Sequence, residues 1–105
     1  MANYLLAFHG GGMPQTEAEQ ATVMNAWNAW YDKLGEATVD QGNPVGKTKR
    51  INSDGSVKPA RGAKIVSGYA IIKADNLDEA VRLASDCPIL ASGGSVEVGE
   101  TFNIM

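Results

Sequence analysis

Apolar residues run unbroken from Tyr4 to Phe8, and alternation along an extended chain sorts them into two sets. Tyr4, Leu6 and Phe8 fall on one side, Leu5, Ala7 and His9 on the other. A strand over 3–9 is therefore greasy on both faces, unlike a strand with one wet side. Gly10-Gly11-Gly12 ends it. The period then changes. Val23, Met24, Trp27, Trp30, Tyr31 and Leu34 share one stripe at about 100° per residue, which predicts a helix over 17–34. Thr16 and Glu19 form a capping box at its start, and Gly35 suits the left-handed position at its end. Glu36–Asp40 reads as a short strand stopped by Gln41-Gly42-Asn43-Pro44. From Val45 to Gly62 the chain is polar, with a turn at Asp54-Gly55, and predicts an irregular hairpin or excursion rather than a domain. A strand over 64–73 follows, where Gly68 marks a bulge or a close neighbour. Asn76 or Asp75 opens a second helix to about Asp86, with Leu77, Ala80, Val81 and Ala84 as its buried stripe and Pro88 as its stop. The last strand covers Ser95–Val98, with a continuation over Thr101–Ile104.

The order strand, helix, strand, strand, helix, strand predicts an α+β, ferredoxin-like domain over residues 1–105, with 41–63 as a variable excursion. Two helices cover one face of a four-stranded antiparallel sheet. Leu5, Ala7 and His9 belong to the other face, and a second subunit is the economical cover for it. The expectation is a homodimer whose sheets face each other.

Composition narrows the chemistry. The nine Lys and Arg against twelve Asp and Glu give a net charge of −3, which speaks against a general nucleic-acid binder. Six of the nine bases (Lys47, Lys49, Arg50, Lys58, Arg61 and Lys64) crowd into one stretch with Asp54 its only acid. That stretch can attract an anion or an acidic partner surface, or simply solvate a hairpin. It holds no aromatic residue, so it offers bases no stacking platform. Cys87 is the single cysteine, which excludes an internal disulfide and, with one histidine, leaves no zinc-ligand spacing. The glycine run is not a dinucleotide fingerprint, because Gln15 stands where a third glycine is needed. No cofactor and no metal are expected. No apolar run approaches the roughly 20 residues of a membrane span, and no secretory pattern opens the chain, so a cytoplasmic protein is the expectation.

The stretches "NYLLAFHG", "EAEQATVMNAWNAWYDKLGEA", "GYAIIKADNLDEAVRLASDCP" and "GGSVEV" together resemble the YCII-related proteins, and more narrowly the branch called DGPF-domain proteins. The resemblance covers most of the chain except 41–63. It implies a dimeric α+β barrel on a ferredoxin-like scaffold, mostly of unassigned function, with some enzyme-like members. Two departures stand out. The Asp-Gly-Pro-Phe element should precede the third strand, where this chain reads "DGSVKPARGAK". Enzyme-like members carry a His and an Asp on and just after the first helix; Met24 stands near the His position, and Asp32 is one residue off the Asp position. The resemblance thus implies the fold more strongly than a catalytic dyad.

His9, the only histidine, is the candidate proton-transfer group, with Asp32, Asp40 and Glu97 as possible carboxylate partners. A strand-end histidine bonded to backbone or set in a dimer contact is the plainer reading. Met24, Trp27 and Tyr31 on one helical stripe either fill the core or line a ligand pocket with His9 at its rim. Tyr69 would add a hydroxyl. These residues suggest a small dimer that binds a small organic molecule, an anion among the candidates, and that can support general acid–base chemistry. The rival is a non-catalytic dimeric interaction or regulatory module.

Overall fold

Tyr4, Leu6 and Phe8 are buried as their alternation predicts, in a strand β1 that spans Ala2–His9. The computed structural model describes residues 1–11, 15–60 and 65–104. After β1 come helix α1 (Glu17–Leu34), strands β2 (Thr38–Asp40), β3 (Lys49–Ile51), β4 (Val57–Pro59) and β5 (Val66–Ala74), helix α2 (Leu77–Ala84) and strand β6 (Ser95–Glu100). The main sheet has the order β2-β5-β1-β6 and every pairing is antiparallel. With α1 and α2 as its two crossovers, this is the ferredoxin-like arrangement. Strands β3 and β4 form a separate two-stranded sheet. Among the described residues no helix is long and apolar enough to cross a membrane.

The core lies between the sheet and the helices. Tyr4, Leu6 and Phe8 meet Ala70, Ile72 and Ala74 of β5, Trp30 and Leu34 of α1, and Ala80, Ala84 and Cys87. Alanines on both β5 and α2 let the short helix sit close to the sheet, while Tyr4 and Trp30 supply volume. The Trp30 indole also donates to the Leu83 carbonyl at 3.1 Å, satisfying one of the carbonyls that the end of α2 leaves without an intrahelical partner.

Local signals hold with adjustments. Thr16 Oγ1 accepts from the Glu19 amide at 3.1 Å, but the Glu19 carboxylate reaches back to the amide of Gln15 at 2.8 Å, one residue outside the expected box. Asn76 Oδ1 accepts from the Glu79 amide at 2.8 Å, fixing the start of α2. The stripe expected on α2 needs correction. Leu77 and Val81 are 47% and 46% exposed; Ala80 and Ala84 are buried as expected, and Leu83 and Cys87 join them in place of the other two. At helical spacing Val81 lies about 100° from Ala80, on the flank, so the alanines carry the contact. The second strand is shorter than expected, because a 3₁₀ turn takes Gly35–Ala37. Beyond β6 the chain does not continue as a strand; Thr101 instead bonds the Asn3 carbonyl through its amide at 2.9 Å and its hydroxyl at 3.0 Å. Gly12, Pro14, Arg61 and Lys64 lie outside the described residues.

Both helices occupy the Tyr4 side of the sheet. On the opposite face stand Leu5, which is 40% exposed, and the half-buried Ala7, Tyr69 and Ile71. The molecule measures 46 × 42 × 18 Å, thin enough for one sheet and one helical layer.

Candidate functional site

The site begins with a fault in the sheet. Phe8 pairs with Gly68 and His9 with Val66, so Ser67 is an extra residue bulged out of β5. Beside it the segment after β2 folds back along β5. The Asp40 carboxylate accepts from the Gly42 amide at 2.8 Å, Val45 donates to the Ser67 carbonyl at 2.9 Å, and Tyr69 donates to the Asn43 carbonyl at 3.3 Å. Two glycines permit this approach. Gly42 has φ +66°, and a Cβ there would fall 1.8 Å from the Tyr69 carbonyl oxygen. At Gly68 a Cβ would meet Phe8 Cδ2 at 3.3 Å and the Asn43 oxygen at 3.4 Å, which is the close neighbour its place in the strand suggests.

Between this wall and α1 lies a cavity of about 390 Å³. Met24, Trp27 and Tyr31 line it from the helix and Phe8 and Ser67 from the sheet, while Tyr69, which shares the opposite face with Ala7, borders it where its main chain meets Gly42. The aromatic stripe is therefore neither wholly core nor wholly pocket. Trp30 and Leu34 are buried, Trp27 and Tyr31 are half-buried, and Met24, 59% exposed, sits at the mouth. Trp27 packs edge-on against Phe8 at 5.2 Å and against Trp30 at 5.7 Å between ring centres, a geometry that aromatic quadrupoles favour. Such packing holds the Trp27 ring in place. The Tyr31 hydroxyl donates to the Gln41 carbonyl at 2.8 Å, joining helix to loop. Burial, with smaller contributions from Cys87 and Asp40, pushes its phenol up to about 12, so it stays a neutral donor at physiological pH. Ser67 Oγ is buried and has no hydrogen-bond partner among the described residues. None of the described lining residues is charged.

His9 is not among the residues that line this cavity. The expectation that it stands at the rim is corrected by the alternation of β1: Phe8 faces the helices, so His9, one residue on, belongs with Ala7 on the other face. There its Nε2 lies 2.9 Å from Glu97 Oε1, a diagonal neighbour on β6. The ring is buried and the carboxylate exposed. Of the three carboxylates considered, Glu97 is the one at bonding distance; Asp40 is bonded to Gly42 and Asp32 is exposed on α1.

Other candidates carry less. The end of β1 passes so close to the 89–94 segment that a Cβ on Gly94 would stand 2.6 Å from the His9 carbonyl oxygen. Its described glycines thus serve a tight crossing. A wider depression of about 440 Å³ between α1 and the segment after α2 includes Lys33 and Asp86, but these bond each other at 2.6 Å. Burial pushes the Cys87 thiol up to about 11, far from a nucleophilic thiolate at neutral pH. Among the described residues no three His, Cys, Asp or Glu side chains gather as metal ligands would.

The structure brings Met24, Trp27, Tyr31 and Tyr69 to one cavity and sets His9 apart. Sequence reasoning missed Phe8, Ser67 and the Gln41–Asn43 wall. Gly42-Asn43-Pro44 gave a turn signal, but its value as a wall depends on distant pairing with β5. The YCII-related domain family model matches residues 5–103, nearly the whole chain, and the chain belongs to that family. No curated protein matches it.

Proposed function

We propose that this YCII-related protein is a homodimer whose aromatic cavity binds a small, flat, uncharged organic molecule. The observation that carries the binding reading is the cavity itself, about 390 Å³ faced by Trp27, Tyr31 and Phe8 and free of charged side chains among its described lining residues. A planar, largely apolar body suits rings so disposed. The volume lies within the roughly 300–1,000 Å³ of small-molecule sites. An anion is the poorer occupant, because no described lining residue is basic.

The dimer rests on the uncovered sheet face and on area. A monomer of 11.1 kDa is expected to expose about 5,700 Å², whereas this chain exposes 7512 Å². The excess exceeds the roughly 800 Å² that each partner buries in an ordinary interface. Two such sheets, face to face, would form the dimeric α+β barrel. His9 and Glu97 would then lie at its seam. Their 2.9 Å contact favours a second reading, in which this pair moves a proton on a molecule held at the seam.

The test uses indole as probe and the Trp27 indole N–H resonance as reporter. Saturable shifts in the millimolar range, weakened several-fold by Met24→Ala at the mouth of the cavity while the free protein loses no stability, are expected. Probe binding that ignores both positions refutes the cavity reading. Sedimentation showing only monomers at micromolar protein refutes the dimer.

A further inference from the structure

We propose that the β3–β4 hairpin is an arm with which one copy grips a second copy of the chain; this rests on the dimer reading and adds a contact to it. Every residue of β3 and β4 is exposed. Ile51 and Val57 pair directly across the ladder, on one face, and remain 73% and 55% exposed. A lone two-stranded hairpin is marginal in water, and among the described residues neither strand buries a side chain against the rest of the chain. Its tip is nevertheless well ordered. The Asp54 carboxylate accepts from the Ser56 amide at 2.9 Å and the Ser56 hydroxyl at 2.7 Å, and Asn52 bonds the same hydroxyl at 3.0 Å. These bonds hold the Asp54 carboxyl below its usual range. The arm is thus shaped before it meets anything.

Charge identifies what it meets. Positions 47–64 hold six bases and one acid, while the rest of the chain holds three bases and eleven acids. The molecule is a basic arm on an acidic body, and two copies can satisfy each other reciprocally, as a two-fold interface requires. Exposed Glu97 and Glu100 on β6 and Asp40 on β2 offer acidic ground on the two edge strands of the main sheet. Reach is sufficient. The seven steps from Gly46 to the tip at Ser53 reach at most about 23 Å at strand spacing, against a width of about 14 Å between the outer strands of a four-stranded sheet. The projection also accounts for a radius of gyration of 15.0 Å, against about 13 Å for a compact chain of this length. A nucleic acid is the weaker occupant, since the hairpin has no aromatic residue on which a base could stack.

The experiment compares the dimer dissociation constant of the full chain with that of two variants, by analytical ultracentrifugation at about 50 and 300 mM salt. Lys49→Glu with Arg50→Glu and Lys58→Glu is expected to weaken the dimer at least tenfold at low salt and to flatten its salt dependence. Ile51→Ser with Val57→Ser leaves net charge unchanged and is expected to weaken it severalfold with the salt slope kept. Circular dichroism checks that each variant folds. In the unaltered chain, trypsin cleavage after Lys49 and Arg50 should slow as concentration rises through the dimer range. Dimers of unchanged affinity in both variants, with cleavage independent of concentration, overturn the arm and leave the dimer standing. An unaltered chain that stays monomeric overturns both. An arm that is protected by heparin but not by concentration assigns it to a polyanion instead.

Discussion

Gly42→Ala probes the wall of the cavity most directly. The substitution asks an L-residue to adopt φ +66° and sets its Cβ 1.8 Å from the Tyr69 carbonyl oxygen. The left-handed backbone alone costs about 1–2 kcal/mol. The clash is with main chain, which has no rotamer to turn away, so the segment must retreat by more than 1 Å, since real contacts of this kind keep beyond about 3 Å. That retreat disrupts some of the bonds that hold it: Gly42 to Asp40 at 2.8 Å, Val45 to Ser67 at 2.9 Å and Tyr69 to Asn43 at 3.3 Å. Losing two at about 1 kcal/mol each brings the total to about 3–4 kcal/mol. Two glycines serve as references. Gly35 has φ +54° and ψ −122°, a conformation outside the left-handed helical well that favours glycine, with nothing within 4 Å of a Cβ, so Gly35→Ala carries backbone strain alone, about 1–3 kcal/mol. Gly46 has neither a left-handed φ nor a near neighbour, so Gly46→Ala should be neutral or slightly stabilising through the unfolded chain. Urea unfolding measures all three. With a slope of about 1–1.5 kcal/mol per molar for a chain of this size, the Gly42 variant should lose at least 2 M of its midpoint. A Gly42→Ala protein that loses no more than about 2 kcal/mol, the backbone cost alone, would refute the contact between the 41–44 segment and β5, and with it the wall.

Three further outcomes follow from single observations. Thr16→Ala and Asn76→Ala should each lose about 1 kcal/mol by removing the side-chain acceptor at a helix start, measured as urea midpoints beside exposed Ser53→Ala, which should change nothing. Trp30→Phe should cost about 1–2 kcal/mol, because the Leu83 carbonyl loses its donor at the end of α2; that acceptor is main chain and survives Leu83→Ala, so the two losses should add, and a double variant that loses clearly less than their sum would argue against a main-chain cause. Stability should be level from pH 7 to 9 and decline above. Cys87 is raised from 9.0 to about 11 and Tyr31 from 10.0 to about 12, so the native state keeps protons that the unfolded chain releases, and their contribution is lost as pH rises through the native values. Cys87→Ala should move the onset of that decline up toward pH 10, and a level profile through pH 11 would refute the assignment.

Local chemistry explains which parts of this molecule can be read from its sequence. Helix α1 begins at Glu17 and ends at Leu34 because Thr16 caps one end and Gly35 turns the chain at the other, and both acts involve residues within four positions. The core face of β1 follows from alternation alone, and the sheet order follows from alternating strands and helices. Alternation also places His9 and Phe8 on opposite faces, so the separation of His9 from the aromatic cavity was present in the pattern of β1. His9 adjoins the glycine run in sequence, but the faces of a strand decide what a side chain can touch. The cavity wall is another matter. Ser67 has an unspent hydroxyl because one residue is bulged out of β5 opposite Phe8 and His9, and the bulge is set by the fit of the 43–45 segment against Gly68. Gly68 signals a bulge or a close neighbour at this place, but nothing local says which segment meets it, since the fit requires two distant glycines to meet backbone from elsewhere. The helix stripe could be read before the structure because one element contains it; the hydroxyl opposite could not, because it exists as a free acceptor and donor only after three segments have come together.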